Sequence, residues 1–159
     1  MSDRGLALAI FILGGLLFVL LPAFRPSETG ESVHLPLAEL QAKIKAQETY
    51  ATGKSESGVP IVRPPSGDVY LLARRWEWTP LLELEAGKTY RLHVTTEDVG
   101  HGFHLTLGEI DRLLAPGIVE TVPLAPARAG SYQVICSDYC GGEHNAMQAP
   151  VRVYESGLR

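Results

Sequence analysis

From Asp68 onward the chain is written in short runs rich in Val, Ile, Leu, Tyr and Thr, each bounded by Gly or Pro: DVYLLARRWEW, TYRLHVTTE, GFHLTL, GIVETVPLA, SYQVICS and APVRVYE. In TYRLHVT the residues alternate, with Tyr90, Leu92 and Val94 on one face and Arg91, His93 and Thr95 on the other. Successive side chains of a strand point to opposite faces. Short strands at regular spacing, separated by turn signals, predict an antiparallel sandwich or barrel. Residues 68–159 are therefore expected to form one mainly β domain.

The amino-terminal part has a different texture. Gly5–Phe24 is a run of twenty residues without a charge. At about 1.5 Å per residue a helix of that length spans roughly 30 Å, the thickness of a bilayer's hydrocarbon core. Gly14 and Gly15 are tolerated in such helices, and Pro22 lies near the end. A cleaved signal peptide would have a shorter apolar core and a small-x-small site, which LPAFRP does not offer. Residues 1–25 are thus expected to be a retained transmembrane anchor in contact with membrane lipid. Arg4 and Arg25 flank the run and specify orientation only weakly; the expected one puts the amino terminus in the cytoplasm and the remainder outside. Residues 26–67 read as a linker. Within it Leu37, Leu40 and Ile44 have the spacing of a short amphipathic helix, and the Gly-, Ser- and Pro-rich Ala51–Gly67 reads as a long loop. The formal net charge of -4, with acids and bases interspersed, provides no basic stripe and excludes a nucleic-acid partner.

The chain holds two cysteines and two methionines, and all but Met1 lie in ICSDYCGGEHNAMQ. Cys136, Cys140, His144 and Met147 follow the spacing C-x3-C-x3-H-x2-M between two strand-like runs, with the flexible pair Gly141-Gly142 among them. A disulfide here would close only a tiny loop. Thiolate and thioether are soft donors that select copper or zinc. Two Cys with two His would close a zinc tetrahedron, but a thioether suits the weak axial position of a copper site. Either metal needs a histidine from elsewhere. His34 lies in the polar link and reads as solvated; His93 sits mid-strand on the polar face; His104, on the following strand, suits a structural or supporting role. His101, at a strand end between Gly100 and Gly102, is the best placed to point into a site. A mononuclear blue copper site would use His101, Cys140, His144 and Met147 and leave Cys136 spare. Two coppers bridged by both thiolates would use every donor, with Met147 axial to one metal and a loop carbonyl serving the other. The donor count favours the pair and leaves the single copper open.

EDVGHGFH followed by CSDYCGGEHNAM resembles the binuclear copper (CuA) domain of cytochrome c oxidase subunit 2. That family's pattern is Asp-Val-x-His, then Cys-Ser-Glu-x-Cys-Gly-x-x-His-x-x-Met, and its Pro-Gly turn is present as Pro116-Gly117. The resemblance runs from about Asp68 to Tyr154 and implies a cupredoxin-like Greek-key β-barrel or sandwich. It implies two copper ions held by His101, Cys136, Cys140, His144, Met147 and the main-chain carbonyl of Asp138. The implied activity is that of the electron-transfer subunit of a terminal oxidase. Electrons come from a c-type cytochrome and pass to haem in subunit 1, where oxygen is reduced to water. Trp76, in RRWEWTP, matches the position where electrons come in. The single apolar run is similar to the B-type haem-copper oxidases, in a bacterial or archaeal cell membrane with the copper domain on the periplasmic side. Three departures stand out: one membrane run where most members have two, Asp138 where the family has Glu, and Glu77 between Trp76 and Trp78. The same domain in a nitric oxide reductase, or a membrane-tethered blue copper carrier, are the alternative settings. Asp98 and Glu143 are suitably placed to accept the second ring N–H of the two imidazoles.

Overall fold

Alternation along the strands separates inside from outside. In Tyr90–Thr96, Tyr90, Leu92 and Val94 are 1%, 1% and 0% exposed, whereas Arg91 is exposed and His93 half-buried. Removing one such side chain from water is worth about 1.5–3 kcal/mol, so a one-residue slip in register would forfeit the whole inner row. The computed structural model describes residues 30–157. The apolar run Gly5–Phe24 lies outside the described residues, and among those described no helix is long and apolar enough to cross a membrane.

Among the described residues twelve strands and one α-helix follow in order: β1 (Glu31–His34), α1 (Leu37–Gln47), β2 (Ala51–Glu56), β3 (Val59–Val62), β4 (Gly67–Arg74), β5 (Glu77–Thr79), β6 (Leu81–Glu85), β7 (Tyr90–Thr96), β8 (His101–Leu105), β9 (Ile110–Leu114), β10 (Ile118–Leu124), β11 (Gly130–Ile135) and β12 (Gln148–Tyr154). They form two sheets, ordered β1-β10-β7-β4-β5 and β2-β3-β6-β12-β11-β8-β9. The inner faces share one core that includes Val69, Leu84, Leu92, Phe103, Leu114 and Val151. The mainly β sandwich expected from the sequence is therefore present. It is not purely antiparallel: β3 with β6, β4 with β7, and β6 with β12 run parallel. The chain passes from sheet to sheet between these strands, so neighbours arrive in the same direction instead of folding back as hairpins.

Three segments of the expected linker are built into the domain: β1, which pairs with β10, α1, and the β2–β3 hairpin. α1 lays Leu40, 1% exposed, on Leu72 and Val119, flanked by Leu37 and Ile44. The amphipathic spacing is thus satisfied by the sheet. At the end of α1 the buried Gln47 receives Tyr70 N–H at 2.8 Å and donates to Tyr70 C=O at 3.0 Å. Its side-chain amide stands in for a neighbouring strand at the part of β4 that β5 does not reach. Ala51–Gly67, expected to be a long loop, instead contains the β2–β3 hairpin. The apolar run Val59–Val62 is short enough to have been hidden by its surroundings, yet Val62 is wholly buried. Ser57 and Gly58, at φ 52° and 85°, form the turn, so the Gly/Ser composition marks a hairpin tip.

Trp78 on β5 is 1% exposed and packs edge-on against Phe103 at a centroid distance of 5.8 Å. Trp78→Ala is expected to lower the unfolding free energy of the metal-free chain by about 3–5 kcal/mol, and Trp76→Ala, at a half-buried position, by well under half of that in denaturant titration. Gln47→Leu, which leaves both Tyr70 backbone groups unpaired, is expected to cost about 1–3 kcal/mol in the same measurement.

Candidate metal centre

β11 ends at Ile135 and β12 begins at Gln148, paired across from it. Cys136 N–H donates to Met147 C=O at 3.0 Å and closes the mouth of the loop between them. Inside the loop, His144 N–H donates to Gly141 C=O at 3.1 Å and Met147 N–H to His144 C=O at 3.1 Å, forming a single tight turn, His144–Ala146. Trp78 Nε1–H reaches the Met147 carbonyl at 3.5 Å, which ties the loop to the core. The loop's first residues run beside the start of β8, because β11 and β8 pair at Ile135–His104. Continuing that register puts Ser137 opposite Gly102, where Ser137 N–H donates to Gly102 C=O at 3.3 Å. His101, one residue earlier on β8, is thereby delivered to the loop.

The donors converge in two sets. The Cys136 and Cys140 sulfurs lie 3.4 Å apart, and both cysteines are free and buried. Cys136 Sγ is 3.7 Å from His101 Nδ1 and 3.1 Å from the Asp138 carbonyl oxygen. Cys140 Sγ is 3.8 Å from His144 Nδ1 and 3.7 Å from Met147 Sδ. His101, Cys136 and Cys140 present donor atoms all within 4.8 Å of one another. Two ligands of one metal, at bond lengths of about 2.0–2.3 Å and a tetrahedral angle, stand about 3.5 Å apart, so these separations fit shared coordination. All six donors read from the sequence are brought together. His34 is exposed; His93 bonds Asp68 at 2.7 Å and Thr121 at 3.0 Å, and His104 bonds Asp111 at 3.0 Å, all away from this cluster.

Burial and hydrogen bonding set the electrostatics. His101 is 0% exposed and its Nε2 lies 3.0 Å from Asp98 Oδ1, which leaves Nδ1 facing the sulfurs. Burial alone would push the Asp98 carboxyl up. Hydrogen bonds from His101, the Arg75 and Val99 backbone N–H groups and the Thr96 hydroxyl outweigh it and hold the carboxyl well below the usual carboxylate range. Asp98 therefore stays ionised and fixes the ring's orientation. Glu143, the other expected neighbour, bonds neither imidazole among the described residues. Burial, then the adjacent Cys136 thiol, push the Cys140 thiol up to about 11. At neutral pH it holds its proton, and a metal taking that thiolate must displace it.

Two aromatic residues frame the loop. Trp76 packs against Gly141, where an added Cβ would lie 3.2 Å from the indole ring and where φ is +126°. Trp76 Nε1 is buried without a hydrogen-bond partner among the described residues. Tyr139, 80% exposed, stands edge-on to His144 at 5.8 Å. His144 is half-buried, so it is the imidazole nearer the surface. The contacts of Trp78 with Met147 and of Gly102 with the loop have no signature in the sequence, because each joins segments distant along the chain.

Residues 74–154 match the family described as cytochrome C oxidase subunit II, periplasmic domain. Cytochrome c oxidase subunit 2 of Thermus thermophilus is 36% identical over 93 residues, 58% of this chain and 69% of that one; a second sequence from the species matches equally over 55% of its length. Among solved structures, a chain of a heme-copper terminal oxidase dimer superposes with a TM-score of 0.59 at 22% identity, over 96% of this chain and 98% of that one. Rusticyanin from Thiobacillus ferrooxidans superposes at 0.51 and 16% identity, over 80% and 99%. These structural likenesses show the fold, a cupredoxin-like sandwich. The family match, covering over half the chain and joined by a relative at 36% identity, settles membership: this chain belongs to the cytochrome c oxidase subunit II periplasmic-domain family.

Proposed function

We propose that the chain is the electron-transfer subunit of a haem-copper oxidase and holds a binuclear copper centre. Cys136 and Cys140 would each supply a thiolate to both metals, His101 and His144 one imidazole apiece, and Met147 and the Asp138 main-chain carbonyl the weaker remaining donors. The observation that carries this reading is the pairing of donors: two sulfurs 3.4 Å apart, each with its own imidazole Nδ1 at 3.7 or 3.8 Å. A mononuclear site would leave Cys136 idle, yet Cys136 is as well supplied with partners as Cys140. The buried Met147 sulfur supports copper over zinc, which rarely takes a thioether.

When bound, the copper pair supplies a one-electron couple. The rest of the work belongs to the chain. The sandwich, the Cys136–Met147 hydrogen bond and the Asp98–His101 contact hold every donor in place, so that little rearrangement accompanies a change of charge. Burial of Cys136, Cys140, Met147 and His101 keeps water from the donors. Trp76, against Gly141, is the contact for a c-type cytochrome donor, and the electron passes on to haem in subunit 1. Oxygen reduction belongs to that partner. The apolar run at residues 5–24 would anchor it in a bacterial or archaeal cell membrane, with the copper domain on the periplasmic side.

Cys136→Ser is the sharpest test within the site. The variant is expected to bind at most one copper per chain and to lose a seven-line copper hyperfine pattern in electron paramagnetic resonance. Retention of two coppers with that pattern would contradict the bridging assignment.

A further inference from the structure

Of the glycines around the centre, Gly102 has the least room. A Cβ at Gly100 would make an ordinary 3.5 Å contact with the Leu114 carbonyl, and one at Gly142 would meet nothing within 4 Å. A Cβ at Gly102 would lie 2.6 Å from Asp138 Oδ2 and closer still to Ser137 Oγ and the Asp138 backbone nitrogen. Gly102 sits within β8 without a left-handed φ. Its backbone conformation is thus open to any residue, and only the space excludes a side chain.

What occupies that space is the first part of the metal loop. Ser137 N–H donates to Gly102 C=O at 3.3 Å, and one residue later the Asp138 carbonyl accepts from the Cys136 thiol at 3.1 Å. Cys136 is held separately, through its N–H to Met147 C=O at 3.0 Å. A side chain at position 102 would meet a backbone nitrogen, which cannot step aside by changing rotamer. The peptide between Ser137 and Asp138 would have to move outward, taking the Asp138 carbonyl with it while Cys136 stays behind.

We propose that Gly102 is a positioning residue: its missing side chain sets the approach of the Asp138 carbonyl to the Cys136 sulfur and so tunes the reduction potential of the copper centre. This rests on the reading of function above. A carbonyl oxygen is a hard donor and favours the more oxidised state of copper, so withdrawing it raises the potential. It also makes the two metal environments less alike.

The test uses the full chain carrying its copper, with Gly102→Ala compared against Gly100→Ala on the other side of His101. Copper per chain, redox titration and copper hyperfine are read for each. Gly102→Ala is expected to keep two coppers, to show a positive shift in potential and to develop unequal hyperfine couplings; Gly100→Ala is expected to match the unsubstituted chain. Two coppers with unchanged potential and hyperfine in Gly102→Ala would overturn the proposal. Should that variant fail to fold, Gly102→Ala with Ser137→Gly removes the closest side-chain contact and is judged the same way. If that chain also fails to fold, Gly102 is a requirement of the fold and the tuning role is likewise overturned. An unsubstituted chain holding one copper would instead defeat the reading of function, which separates the two failures.

Discussion

The hydrogen bond from Cys136 N–H to Met147 C=O is the constraint from which the centre follows. It joins the two ends of a loop that contains four of the five side-chain donors. Ordering a loop residue costs roughly 1–2 kcal/mol of backbone entropy, and a loop left open would exact that cost when metal binds. Here the ends are already paired as the continuation of β11 and β12, and the tight turn at His144–Ala146 orders the remainder. The strand pairing and the turn hold the donors within coordinating separation of one another, which is the arrangement expected of a site that must change charge without changing shape.

The fifth side-chain donor comes from another part of the fold, and its delivery explains why a sandwich is needed at all. β8 lies beside β11 in the same sheet, so His101 is carried to the loop by strand pairing and is locked there by Asp98. The same pairing brings Gly102 against Ser137 and Asp138. One strand thus supplies an imidazole through one residue and shapes the loop through the next. Trp78 closes the arrangement from below by contacting Phe103, His101 and the Met147 carbonyl. The centre is consequently part of the core rather than an attachment to it, and core and site are expected to respond together to packing changes.

The parts of this account visible in the sequence are those written in local pattern. Alternation in β7 marks its inner face, and Cys136, Cys140, His144 and Met147 advertise soft-metal chemistry through residue type and spacing alone. His101 could be chosen among five histidines because its glycine neighbours allow close approach, and the structure explains one of them: Gly102 yields its space to the loop. What escaped was set by partners distant in the chain. Val59–Val62 is four residues long and enters the main sheet through its pairing with β6, with β2 on its other side; Gln47 looks like any polar helix residue until it meets the Tyr70 backbone. The parallel strand pairs likewise depend on the path between sheets, which short alternating runs do not encode.

The central claim is that both thiolates serve two metals at once. Copper-to-chain stoichiometry of the unsubstituted protein, taken together with its electron paramagnetic resonance spectrum, tests it most directly. Two coppers per chain with a single electron spin shared over both nuclei, seen as seven hyperfine lines, is the expected result. One copper per chain with four lines would contradict the account.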